Sequence, residues 1–406
     1  MKRPDLKYLL LITVIFTASC IETDMYLPAF TDMMHFFSVS ESRIQSLLTW
    51  NFFGICISGP LYGPISDAIG RKKPLLIALG FFLIGSLITT VSSSFPWMLW
   101  GRLLQGLGSG GCFTLGTAII FDVFHQQKAI KALNQLNLII PFIMSLAPMV
   151  GGFLNHMYGF RSNFLLITLS VVLSLIMSLF FLEETLPQEN KRPFTAKKLA
   201  YDCSRALRST PFWQITLTES FLFSGYMVFL SGSSVVFITE LGISKTWFPL
   251  YQASILVAWL IASLTLIRIL EKWGTDKIKR IGKQLTFAST LGAALVACMM
   301  PHSALALTCV MLVYSFGINW VMAMYFPEGM EILPDIKGIT ASLITSARLL
   351  ISSVIVGLAS YYYNGTIYPM TIALVACSLA IFPLLMSYEK RKRATQSIAT
   401  SSPSHE

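Results

Sequence analysis

Apolar runs of about 20 residues recur along the whole chain, each as long as a helix must be to cross the roughly 30 Å hydrocarbon core of a bilayer. That repetition leaves few folds open. Inside lipid every backbone N–H and C=O must be satisfied within the spanning segment, and a helix does so alone. Runs near 7–30, 42–66, 75–93, 97–122, 134–157, 162–183, 211–239, 245–270, 283–301, 303–327, 338–363 and 366–389 predict twelve spans. Composition agrees. Charged residues are 12% of the chain against roughly a quarter in a soluble domain, and mean hydropathy is +0.65. The fold class expected is an all-α membrane protein.

Lys and Arg set the orientation, because they collect in cytoplasmic loops. With the N-terminus inside, 24 of the 30 Lys and Arg lie in inner segments, and the outer loops hold Arg43, Arg161 and Lys245. Both termini are therefore expected in the cytoplasm. The net charge of +10 follows from this topology and from contact with anionic lipid, so no nucleic-acid partner is expected. The first apolar run is too long for a cleaved signal and lacks a small-residue cleavage site.

Residues 184–210, "ETLPQENKRPFTAKKLAYDCSRALRST", form a polar, basic linker between the sixth and seventh spans. It divides the chain into a half over 1–183 and a half over 211–389. "GPISDAIGRKK" after the second span is echoed by "RILEKWGTDKIKR" after the eighth, as in transporters built from repeated halves. The Ser/Thr-rich tail, 390–406, reads as disordered.

Enzyme chemistry finds no footing. The seven cysteines lie almost wholly in apolar spans without paired or metal-like spacing. The five histidines fall near span ends or in the tail, and there is neither an HExxH pattern nor a phosphate-binding GxxxxGK[ST] loop. No enzyme activity, metal or cofactor is expected.

The most specific motif is "GPLYGPISDAIGRKKPLL", between the second and third spans. It resembles the signature G-x-L-a-D-r-x-G-r-k of the major facilitators, through Gly63, Asp67, Gly70, Arg71 and Lys72; Ala68 stands where the family often has Arg. "MLWGRLLQGLGSGG" in the fourth span is similar to the family's R-x-x-q-G-x-g element through Arg102, Gln105, Gly106 and Gly108. Asp122 ends that span level with the Asp67 and Arg71 loop. The resemblance implies that Asp122 joins a charge relay closing the cytoplasmic side. "LAPMVGGFL" in the fifth span matches the end of the antiporter signature through Pro148, Gly151 and Gly152, with Ala147 and Ile143 where the family has Gly. A hinge is expected there, since small residues allow close helix approach and proline allows bending.

"ETDMYLP", residues 22–28, places two carboxylates in the first apolar run. Asp24, Met25 and Pro28 are similar to the acidic-Met-x-x-Pro element of the Bcr/CflA-type drug:proton antiporters, a branch of the major facilitators. At 1.5 Å per residue, Asp24 lies about 25 Å from Lys7, a depth near that of Arg102. The two are expected to meet across a central cavity. Burial and a neighbouring Arg act on a carboxyl group in opposite senses, so Asp24 or Glu22 can titrate as the site alternates between wet and occluded. The two are about 200° apart around a helix and cannot face one spot. Asp24 is the favoured proton carrier, and Glu22 is left as an auxiliary or substrate-contacting group.

In the second half, Glu219 and Arg348 need a partner or a wet cavity. Each is open to a role in binding or as interhelical glue. Tyr26, Asn51, Tyr226, Asn319 and Trp320 complete a candidate aromatic-lined pocket. The resemblance implies a monomeric, proton-coupled exporter of small amphipathic compounds in a bacterial inner membrane. A dedicated metabolite or siderophore exporter, or an importer or uniporter, stands as the alternative.

Overall fold

The computed structural model describes residues 3–124, 127–187, 189, 195–244 and 246–401. Linker residues 188 and 190–194, Lys2, His125, Lys245 and the last five tail residues lie outside them. Among the described residues the chain is helix and short connection throughout: α1 (Arg3–Asp24), a 3-10 turn (Leu27–Ala29), α2 (Phe30–Phe37), α3 (Glu41–Ile69), α4 (Lys72–Val91), α5 (Phe95–Val123), α6 (Gln127–Tyr158), α7 (Arg161–Phe181), α8 (Ala196–Leu207), α9 (Thr210–Val235), α10 (Phe248–Met299), α11 (Ala304–Glu331), α12 (Lys337–Tyr361) and α13 (Tyr368–Ser401). Nine helices among the described residues are long and apolar enough to cross a bilayer.

Two expectations need revising. The first span is not one helix, because Pro28 has no N–H to return to the Asp24 carbonyl and the chain turns through a 3-10 segment before α2. The runs over 245–270 and 283–301 fall on the two arms of α10, which meet at a kink at Gly274, whose φ of 70° suits a residue without Cβ. At 1.5 Å per residue each arm is about 38 Å long, enough for one crossing. The tail expected to lack structure continues as helix to Ser401, since residues 384–401 contain neither Gly nor Pro.

The helix α7 buries its polar stripe and turns its apolar stripe outward. Its inward residues include Asn163, Thr168, Ser174 and Ser178, while Leu165, Leu169, Leu173, Ile176 and Phe180 are exposed at helical spacing. A water-soluble helix has the reverse arrangement. Since lipid gives little apolar drive for helix association, close packing of small residues holds the bundle. The glycines of α5 do this. A Cβ on Gly106 would stand 2.0 Å from the Asn51 carbonyl oxygen of α3, and one on Gly108 would stand 2.5 Å from Phe82 of α4. Gly54 of α3 returns the contact, with its Cβ position 2.3 Å from the Leu103 carbonyl oxygen.

Helices α1–α7 pack mainly on one another, as do α9–α13, and α8 lies between them in the chain. Two seams join the groups, α3 against α12 and α6 against α10. Along the first, Cys56 Sγ donates to the Ser346 carbonyl at 3.0 Å and Ser346 Oγ donates to the Cys56 carbonyl at 3.2 Å. Farther along, Gln45 accepts from Ser231 and Ser360 of the second group and donates to Glu41 at 3.0 Å. At the second seam Gly152 meets Pro249, with 2.2 Å from its Cβ position to Pro249 Cγ.

The α3–α5 contact gives a direct test. Gly54→Val places methyl groups into the α5 backbone and is expected to destabilise by about 3 kcal/mol or more, read as a lower thermal midpoint in detergent, whereas Gly80→Ala, with open space around it, should leave the midpoint within error.

Candidate functional site

Where α1 ends, its two carboxylates part. Glu22 points into the first group, and its Oε2 receives Arg102 Nη1 of α5 at 2.7 Å. Asn51 Nδ2 donates to both Glu22 oxygens at 3.1 and 3.2 Å, and Ser109 Oγ donates to Oε1 at 3.1 Å. Arg102 is bonded in turn through both terminal nitrogens, with Nε left without a partner: Nη1 also donates to the Glu22 carbonyl at 3.1 Å and to Gln105 Oε1 at 2.7 Å, and Nη2 donates to the Tyr26 hydroxyl at 3.2 Å. Its guanidinium carbon stands 4.6 Å over the Tyr26 ring. Gln105 passes the chain on to Ser86 Oγ at 3.0 Å. Glu22 and Arg102 are both 0% exposed. Two charges can be held in such a site only because nearly every donor and acceptor around them is used.

Asp24 has no such shell. It is 1% exposed and its Oδ2 has no hydrogen-bond partner. The expected meeting of Asp24 with Arg102 is therefore corrected: the cation's partner is Glu22. The two positions are about 200° apart, so once Glu22 faces α5 and α3, Asp24 must look the other way, toward α9. Glu22 is thereby no substrate-contacting group in this structure. Tyr26 and Asn51, expected in the pocket, are enclosed in the Glu22–Arg102 cluster.

The motif after α3 builds a second charged centre. Arg71 Nη1 donates to Asp67 Oδ1 at 2.6 Å and Arg71 Nε to Asp122 Oδ2 at 2.8 Å, joining the ends of α3, α4 and α5. Gly70 has φ 101°, and a Cβ there would come 2.2 Å from Glu184 Oε2. Glu184, unmarked by the sequence reading, takes the Arg71 N–H at 2.7 Å, the Lys72 N–H at 3.3 Å and the Leu186 N–H at 3.1 Å. Burial would raise its pKa, but these backbone bonds prevail and hold the carboxyl below its ordinary value. Gly63 makes no close helix contact, and Lys72 joins the network through its backbone N–H alone. A Cβ at Gly63 would meet only Thr114, at 3.9 Å, and Lys72 Nζ reaches the Leu179 carbonyl at 3.4 Å.

In α6, Pro148 is buried, and the Cβ position of Gly151 is 1.7 Å from the Met25 carbonyl oxygen, one residue after Asp24. Only glycine fits there. On the other side, Glu219 of α9 and Arg348 of α12 form an ion pair at 3.5 Å, with Glu219 fully enclosed and the Arg348 side chain 21% exposed. Arg348 stands 5.0 Å over the Phe223 ring; Phe223 touches Tyr226 at 6.2 Å, and Tyr226 touches Trp259 at 5.2 Å. The other two pocket candidates are corrected. Asn319 donates to Ser263 Oγ and Trp320 Nε1 to the Ala262 carbonyl, both at 3.0 Å, so they tie α11 to α10.

A model of the Major Facilitator Superfamily matches residues 12–357. The chain belongs to the major facilitator superfamily. It is 24% identical over 356 residues to a bicyclomycin resistance protein homolog of Haemophilus influenzae, covering 87% of this chain and 89% of that one. It is also 24% identical over 364 residues to the multidrug resistance protein MdtL of Klebsiella pneumoniae, covering 89% and 91%. Among solved structures, a bacterial homolog of the human lysosomal transporter Spinster, in an inward-facing and occupied conformation, superimposes with a TM-score of 0.75 at 14% identity, over 97% of this chain and 98% of that one. This likeness establishes the fold.

Arg102→Met is expected to lower stability by about 3–5 kcal/mol, because it strands the Glu22 charge, and adding Glu22→Gln should recover part of that loss; thermal melts of the single and double variants measure the coupling. Glu184→Gln should cost about 0.5–1 kcal/mol as the cap of α4 weakens. Because the folded-state carboxyl is held below 4.5, that contribution is present above pH 4.5 and fades as pH falls further, so melts of wild type and variant should converge in acid.

Proposed function

We propose that this protein is a proton-coupled exporter of small amphipathic compounds that works by alternating access, with Asp24 as the proton carrier. The observation that carries the reading is the unequal treatment of two acids two residues apart. Glu22 spends its charge on Arg102, Asn51 and Ser109, whereas buried Asp24 Oδ2 has no partner. An ionised carboxylate without a partner is costly in a dry site, so occlusion favours the protonated group. Opening the space between the helix groups to water or to a cationic substrate lets the proton leave. Proton and substrate then compete for one acid, which couples export to proton entry. The relatives named for bicyclomycin and multidrug resistance support efflux.

The reading extends to the frame. Residues 1–183 and 211–389 act as two six-span halves, twelve spans in all with α10 crossing twice, both termini lie in the cytoplasm, and 184–210 links them. The protein acts as a monomer in the cytoplasmic membrane of a bacterium. The Arg71, Asp67 and Asp122 cluster, capped by Glu184, latches the inner face, and the Pro148, Gly151 and Gly152 stretch lets α6 bend against Met25 and Pro249.

Vesicles reconstituted with the protein and loaded with a pH dye test the assignment, using ethidium as probe. Wild type is expected to exchange ethidium for protons. Asp24→Asn should keep the wild-type melting midpoint yet lose at least nine-tenths of the exchange, and Glu22→Gln should lose stability first. Normal exchange by Asp24→Asn would remove Asp24 as carrier.

A further inference from the structure

We infer that the transport site is bipolar, built for amphoteric compounds that carry a basic nitrogen at one end of an aromatic or flat apolar frame and a carboxylate or similar anion at the other. This rests on the exporter reading above and names the substrate class of the same site. The acidic pole is Asp24, on the first group of helices; the basic pole is Arg348, on the second.

Two observations place them in one site. Tyr226 stands on α9, and α9 packs on the turn that follows Asp24. From Tyr226, ring contacts lead to Phe223 at 6.2 Å and on to the Arg348 guanidinium, 5.0 Å from the Phe223 centroid. The poles are therefore joined by one aromatic wall, which Trp259 extends at 5.2 Å from Tyr226.

The second pair differs from the first in what it leaves unused. The Glu22–Arg102 pair is enclosed, and of its charged atoms only Arg102 Nε lacks a partner. The Glu219–Arg348 pair, in contact at 3.5 Å, leaves both Glu219 oxygens and Arg348 Nε without one. Glu219 is 0% exposed and Arg348 21%, so an incoming ligand reaches the cation and not the acid behind it. A guanidinium has five donors in a planar fork that fits a carboxylate. Glu219 acts as a positioning residue: it keeps Arg348 on the Phe223 ring and offsets its charge while no anion is bound. A ligand anion takes over the free donors, and its basic nitrogen takes the Asp24 oxygen, which is buried and unpartnered here, once the two helix groups part enough to admit it. Because the poles lie on different helix groups, such a ligand also draws the groups together.

Equilibrium binding to the purified full chain in lipid nanodiscs tests this without reference to protons. The probes are ciprofloxacin, whose piperazine nitrogen and aryl carboxylate sit at opposite ends of a flat frame, and its ethyl ester, which keeps the nitrogen and masks the anion; tryptophan fluorescence or calorimetry reads either. Wild type is expected to bind the acid at least tenfold more tightly than the ester. Arg348→Gln should bind the two alike while keeping the ester affinity, which also shows a folded site. Arg348→Lys should keep a preference of several fold, and Glu219→Gln should enlarge it by freeing the guanidinium. Equal binding of acid and ester by wild type, or an equal fall for both ligands in Arg348→Gln with the preference intact, overturns the inference. Failure of the exporter reading shows separately, as absent proton exchange in wild-type vesicles alongside an undiminished preference for the acid in nanodiscs.

Discussion

The ion pair between Glu22 and Arg102 is the constraint on which the first group of helices depends. Neither charge reaches water, and the transfer of both out of it is tolerated only because Asn51, Ser109, Gln105 and Tyr26 complete their hydrogen bonds. Asn51 sits on α3, Ser109 and Gln105 on α5, and Tyr26 just after α1, while the pair itself joins α1 to α5. They can converge only if the helices approach closely, which the glycines at 54, 106 and 108 permit. Polar satisfaction and small-residue packing are thus one requirement. A bulkier residue in the α3–α5 contact would also part the donors from the carboxylate.

That same pair decides what Asp24 can do. With Glu22 committed to α5 and α3, the helix geometry leaves Asp24 turned away from them and without a donor for its Oδ2. The break at Pro28 turns the chain there, and Gly151 admits the Met25 carbonyl against α6. The second group answers with a looser pair, Glu219 and Arg348, in which the cation is the accessible member.

Much of the frame was legible in the sequence, because lipid imposes the same length and composition on every crossing helix. Apolar runs located the helices to within a few residues in most cases, and the spacing of Asp67, Arg71 and Asp122 foretold a charged centre that the structure closes at 2.6 and 2.8 Å. Depth counting brought Arg102 to the level of residues 22–24. It erred on the partner, since depth carries no azimuth. Tyr26, Asn51, Asn319 and Trp320 were misplaced for a related reason. A polar or aromatic residue in an apolar run marks a need for a partner, and that partner is as readily a neighbouring helix as a cavity.

The sequence by itself determined that the chain is a bundle of membrane helices in two linked groups, and which ionisable residues must lie within it. Hydrophobic length and the cost of burying charge are one-dimensional facts that need no neighbour. Only the tertiary structure decided which carboxylate is bound and which is left without a partner, that Glu184 caps α4 from beyond α7, and that ring contacts run from Arg348 through Phe223 and Tyr226 to Trp259. Those outcomes depend on the rotation of each helix about its own axis, which packing against all the others sets at once.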